Sequence, residues 1–257
     1  MRKAFTLIEL LMVVGIMVTL MAMIIPAITG IKGGRDVAKA AYDIAGLLDQ
    51  ARAYAMANNT HVFVGFAEVD DSYGSSVAPQ KASTASTGGR VAVGVVASRD
   101  GTGGYGTNPL GWSPGIPNQN DAGLFAIGKL QYFDNLHMAA TPLGTTGGMA
   151  GRPQASGTLQ VLQVGGIGGT FTSLTPFYWP LAASSQNTAQ YYFTRVLEFD
   201  PQGVVWFQSN SNINTLVPYF EIGLSPTHGN TVPSSTPADV AAIQIDGMTG
   251  ATRIYRP

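Results

Sequence analysis

Cysteine is absent from the 257 residues, which excludes disulfides, thiolate zinc sites and cysteine nucleophiles. Zero cysteine fits reducing and oxidising compartments alike. Charge is also sparse: charged residues make up 11% of the chain, with 14 Lys and Arg against 15 Asp and Glu and a net charge of −1. The basic residues are spread thinly rather than gathered into a patch, so no nucleic-acid partner is expected. Neither an HExxH pair nor a Gly-x-Ser-x-Gly elbow nor an EF-hand spacing occurs. His61, His137 and His228 are far apart in sequence and read as surface or strand histidines. Asp70, Asp71 and Asp100 lie in Gly-rich stretches and read as solvated loop acids rather than calcium ligands. The string Gly101-Thr102-Gly103-Gly104-Tyr105-Gly106 matches GxGxxG, but Pro109, Gly111, Pro114 and Pro117 interrupt the helix a phosphate cradle requires. No catalytic residue, cofactor or metal is therefore expected. With 45% hydrophobic residues the chain should fold, although 32 Gly and 15 Pro make it loop-rich.

One long hydrophobic run is present. From Leu10 to Ile31 no residue is charged, and as a helix this run is roughly 33 Å long, enough to cross a bilayer core of about 30 Å. Arg2 and Lys3 before it favour a cytoplasmic N-terminus, while Lys32 and Arg35 beyond it oppose that bias. The run fits a secretory signal peptide cut near Ile25-Pro26-Ala27, or an uncleaved signal anchor. Glu9 counts against both. A lone carboxylate costs about 2.5–3.5 kcal/mol on membrane-insertion scales, and neither role needs one.

Lys3-Ala4-Phe5-Thr6-Leu7-Ile8-Glu9-Leu10-Leu11 resembles the processing motif of type IV prepilins and type II secretion pseudopilins. The resemblance implies cleavage by a prepilin peptidase between Ala4 and Phe5, methylation of the new Phe5 amine, and Glu9 as the fifth mature residue. It also places Pro26 where many pilins carry a helix-kinking proline. Cleavage would create an α-ammonium in an apolar zone, and a carboxylate about one helical turn away can neutralise it. In the family's account the pairing is intermolecular: Glu9 of an incoming subunit meets Phe5 of the one before it. The family usually has Gly before the cut, and Ala4 adds a methyl there.

Beyond this run, Val37, Ala41, Ile44, Leu48, Ala51 and Ala55 alternate at spacings of four and three, the stripe of an amphipathic helix that Asp36 can start and Asn58-Asn59 can end. Val-, Ile-, Tyr- and Phe-rich strands are expected at His61–Ala67, Arg90–Ser98, Leu159–Val164, Tyr191–Phe199, Val204–Gln208, Tyr219–Leu224, Ala241–Asp246 and Thr252–Tyr255. Asp200-Pro201-Gln202-Gly203 and Asp246-Gly247-Met248-Thr249-Gly250 are turn chemistry, each closing an antiparallel hairpin. The segment from Leu47 to Phe66 resembles the helix end and first strand of H-type minor pseudopilins and the related minor pilins, the GspH/FimT-like group.

The expected fold is α+β: a long N-terminal hydrophobic helix, then an antiparallel β-sheet head with long loops. The expected organisation is a leader at 1–4, a transmembrane and assembly helix at 5–31, an amphipathic helix at 32–59 and a periplasmic head at 60–257. The resemblance implies a non-enzymatic subunit of a pseudopilus or pilus, a minor component, in the bacterial inner membrane with the N-terminus cytoplasmic. Implied partners are other pilin or pseudopilin subunits, the prepilin peptidase, an inner-membrane assembly platform and membrane lipid. The alternative is an anchored or secreted periplasmic enzyme or carbohydrate-binding protein.

Overall fold

The computed structural model describes residues 7–84, 86–101, 103, 123–139, 143, 149, 151–154, 161–165, 176–181, 183, 187–207 and 217–257, with the backbone alone for 23–33. Helix α1 spans Leu7–Asn58. Thirteen strands follow among the described residues: β1 Val62–Asp70, β2 Gly89–Ser98, β3 Leu124–Ala126, β4 Gln131–Asp134, β5 Leu136–Met138, β6 Val161–Gln163, β7 Phe177–Trp179, β8 Tyr191–Phe193, β9 Arg195–Phe199, β10 Val205–Trp206, β11 Tyr219–Pro226, β12 Ala241–Asp246 and β13 Thr252–Tyr255.

The helical stripe is the centre of the molecule. Val37 is 1% exposed, and Ala41, Ile44, Leu48, Ala51 and Ala55 are at 0%. A helix with one apolar face must cover that face with another layer, and here two sheets do so. The larger sheet runs β10-β9-β1-β2-β3, with β4 also pairing β2; the smaller runs β13-β12-β11-β5, with β6 parallel to β11. Val62, Val64 and Phe66 of β1 join Phe220, Ile222 and Ile243 of the smaller sheet in one core with the stripe. The helix ends at Asn59, whose φ of 48° is the left-handed conformation asparagine tolerates, and Thr60 N–H donates to Ala55 O at 3.1 Å.

A β7–β8 ribbon covers the other face of the larger sheet. Both faces of β1 are thus buried, so Val62 to Ala67 run apolar without alternating, and Glu68 is the first charge to break the run. Gly65 and Gly94 face each other across β1 and β2, and a Cβ on Gly65 would stand 2.6 Å from Phe177 Cζ. The missing side chains are the seat on which Phe177 and Phe193 lie. Both predicted hairpins are formed, β9–β10 and β12–β13. Asp200 Oδ1 accepts the N–H groups of Gln202 and Val204 at 2.9 Å, and Asp246 Oδ1 accepts those of Met248 and Thr249 at 2.9 and 3.0 Å.

Three expectations need correction. The expected α+β fold, a hydrophobic helix followed by one antiparallel sheet, is replaced by a largely β molecule. Among the described residues two main sheets pack on the helix, a ribbon covers the far face of the larger sheet, and one strand pair is parallel. The expected transmembrane helix is overturned: among the described residues no helix is long and apolar enough to cross a membrane. The expected single-pass placement in a bacterial inner membrane falls with it. Finally, Tyr191–Phe199 is not one strand. It breaks at Thr194, and β8 and β9 belong to different sheets.

Candidate assembly helix and buried charge pairs

The N-terminal part of α1 differs from the rest of the molecule in what it leaves uncovered. Leu7 is 81% exposed, Ile8 72%, Met12 70% and Met21 64%, and Leu10, Leu11, Val13, Val14, Ile16, Met17, Val18 and Leu20 are exposed as well. These residues occupy every side of the helix, not one stripe. A helix that is apolar all round ordinarily lies inside something. The hydroxyl of Thr19 donates to Ile16 O at 2.8 Å, so the polar group within this surface is satisfied by its own helix.

Glu9 lies in the first turn of α1, where the positive end of the helix dipole favours an anion. Pro26 lies within α1. Ala4 and Phe5, the predicted cleavage and methylation positions, lie outside the described residues.

A second group of functional side chains escaped sequence reasoning. Two of the three histidines are paired with buried glutamates instead of standing alone. His137 Nδ1 is 2.8 Å from Glu68 Oε1, whose other oxygen accepts Met138 N–H at 3.0 Å. His61 Nδ1 is 2.7 Å from Glu198 Oε1. The first pair ties β1 of the larger sheet to β5 of the smaller. The available signal was the carboxylate itself: Glu68, Glu198 and Glu221 each interrupt an apolar strand run, where a charge must find a partner.

The acids read as solvated are also engaged. Arg90 donates from Nη2 to Asp71 at 2.7 Å, from Nε to Asp134 at 2.6 Å and from Nη1 to Tyr73 O at 2.6 Å. Burial pushes the Arg90 guanidinium down, but Asp134 and Asp71 outweigh it and hold it above its usual value. Burial raises the Asp71 carboxyl, neighbouring Asp134 raises it further, and Arg90 only partly offsets them. Asp70 Oδ1 accepts the Ser72 hydroxyl at 2.7 Å, Ser72 N–H at 3.0 Å and the Asn230 amide at 3.1 Å. Asp100 accepts the Ser98 hydroxyl at 2.6 Å. Among the described residues no group of three His, Cys, Asp or Glu side chains is placed to hold a metal ion. Of the glycine string, Thr102 and Gly104–Gly106 lie outside the described residues.

On the smaller sheet, Glu221 Oε1 accepts the Gln163 amide at 2.8 Å and Oε2 the Gln244 amide at 2.7 Å. Arg152 Nε is 3.0 Å from Glu221 Oε2, an ion pair whose N–H is not aligned for a hydrogen bond. These pairs brace sheets and loops. They bring no nucleophile and base together. Compared with known proteins, the chain matches no family model, no curated protein and no solved structure.

Proposed function

We propose that the chain is a structural subunit of a type IV pilin-like or type II secretion filament, cut between Ala4 and Phe5 and assembled through its N-terminal helix. The observation that carries this reading is the ring of exposed Leu, Ile, Val and Met side chains from Leu7 to Met21. Burying each such side chain is worth about 1.5–3 kcal/mol, so a dozen of them make a strong drive toward association. The occupant supported by the sequence is the same helix of a neighbouring subunit, because the Ala4-Phe5 motif and Glu9 stand in the register that pairs a new amine with a carboxylate. A prepilin peptidase and an assembly platform are the other partners of this reading. The paired histidines and arginines keep the head rigid while the helix end does the associating.

The test is the mass of the mature chain recovered from its native host, followed by incorporation of a Glu9→Leu variant. The reading expects a chain beginning at methylated Phe5, and a Glu9→Leu chain that folds but is lost from filaments. A mature chain that starts elsewhere, or a Glu9→Leu chain that enters filaments at the normal level, overturns it.

A further inference from the structure

With cysteine absent, methionine is the chain's sole sulfur, and it is unevenly placed. Five of the nine methionines, Met1, Met12, Met17, Met21 and Met23, fall within the first 23 residues. In the head, Met138 and Met149 are buried, and Arg152 Nη1 donates to Met149 Sδ at 3.1 Å. On the N-terminal part of α1 the reverse holds: Met12, Met17 and Met21 are each more than half exposed. Their thioethers stand open to any small oxidant that meets an unassembled chain.

The same three side chains belong to the apolar surface that the assembly reading places against a neighbouring helix. Oxidation to the sulfoxide turns a flexible apolar side chain into a polar one that carries an acceptor oxygen. Between Leu7 and Ala22 the only polar side chains are those of Glu9 and Thr19. The Glu9 carboxylate accepts and does not donate, and the Thr19 hydroxyl already donates to Ile16 O at 2.8 Å. A second copy of this stretch therefore offers a sulfoxide oxygen no side-chain donor, and packing the two helices would bury that oxygen without a partner, a costly arrangement.

We infer that Met12, Met17 and Met21 are redox modification sites, where a peroxide converts thioethers to sulfoxides and holds unassembled chains out of the filament. The sulfur lone pair attacks one peroxide oxygen, and the S–O bond forms as the O–O bond breaks. The second oxygen leaves as hydroxide and takes up the proton of the first to become water, so sulfur loses the two electrons that the peroxide gains. Methionine sulfoxide reductases reverse the change: two thiols close to a disulfide, supplying two electrons and two protons, and the sulfoxide oxygen leaves as water. Packed helices shield the same sulfurs, so the modification acts on free chains and spares assembled ones. This inference rests on the assembly reading.

The test is sedimentation velocity of the full chain, dispersed in detergent, exposed to hydrogen peroxide and then freed of both, with peptide mass mapping to locate the added oxygen. Sulfoxide is expected at Met12, Met17 and Met21, and association should weaken by at least about tenfold, the effect of one buried acceptor left unpaired. Treatment with the two reductases, one per sulfoxide epimer, should restore it. A chain carrying Met12→Leu, Met17→Leu, Met21→Leu and Met23→Leu keeps an apolar surface of similar volume and should associate equally with and without peroxide. The inference alone is overturned if the oxidised chain associates like the untreated one, if the leucine variant also loses association under peroxide, or if the three sulfurs are spared while the exposed Met56 and Met248 of the rest of the molecule are oxidised. An untreated chain that stays monomeric overturns the assembly reading, and this inference with it.

Discussion

Asp70 and Asp71 are adjacent, yet their surroundings move them in opposite directions. Burial alone would raise the Asp70 carboxyl, but the Ser72 hydroxyl and N–H, the Asn230 amide and the Lys81 charge outweigh it and hold it below its usual 3.8. A depressed folded value means that the ionised carboxylate adds stability above the unfolded value, and that this contribution is lost as pH falls through the folded value. Asp71 is raised by burial and by Asp134 despite Arg90. Its contribution has the reverse sign, present below the unfolded value and lost as pH rises through the folded one. Asp70→Asn should therefore cost about 1–3 kcal/mol at neutral pH, the scale of a buried group deprived of charge-assisted bonds, and the gap to the unsubstituted protein should close below about pH 4. Asp71→Asn should cost less at neutral pH, because it removes an ionised form that the fold disfavours. Urea midpoints of the two variants between pH 3 and 7 decide the matter, and an Asp71→Asn cost equal to that of Asp70→Asn would contradict the assignment.

Between elements, the Gly65–Gly94 pair controls how the β7–β8 ribbon docks. A Cβ on Gly65 would stand 2.6 Å from Phe177 Cζ and 2.8 Å from Phe193 Cβ, so the ring must move or the ribbon must lift. Gly65→Ala is expected to cost about 1–3 kcal/mol, the usual range for overpacking. Phe177→Ala alone should cost about 3–5 kcal/mol. Because both act on one contact, the double variant should be less destabilised than the sum, and strict additivity in a denaturation cycle would show that the ring does not rest on this seat. The same elements explain what the sequence discloses. The α1 stripe was legible because six small or aliphatic residues repeat at helical spacing, and the two hairpins because Asp and Gly stand where the turns need side-chain acceptors and positive φ, 81° at Gly203 and 67° at Gly250. The strands β3, β5 and β7 were not legible: at three residues each, no period can establish itself. Nor does strand propensity reveal partners, and the change of sheet at Thr194 carries no local signal. The buried Glu68 and Glu198 were visible as anomalies in apolar runs, but their histidines lie 69 and 137 residues away in sequence.

At the scale of the whole molecule, α1 serves two environments. Among the described residues, the earliest to join the main core is Val37, and from there to Ala55 the helix is the wedge between the sheets. The part from Leu7 to Met21 contributes nothing to that core and is exposed throughout. On the proposed assembly, stability of the head and association of the chain fall to different lengths of one helix, and they should be separable. Removing residues 1–31 leaves Gly34, where a Cβ would stand 3.1 Å from Asp239 Cγ, and the whole stripe from Val37 in place. The shortened chain should keep the thermal midpoint of the full chain within a few degrees, because none of the described side chains it loses belongs to the core and exposed apolar residues outside the core change stability little. Its association should change completely. Sedimentation velocity is expected to find the full chain in large assemblies and the shortened chain monomeric, since apolar surface of this extent on every side of a helix is covered only by further protein or amphiphile. A shortened chain that unfolds would mean that the exposed end supports the head after all, and one that still assembles would place the associating surface on the sheets.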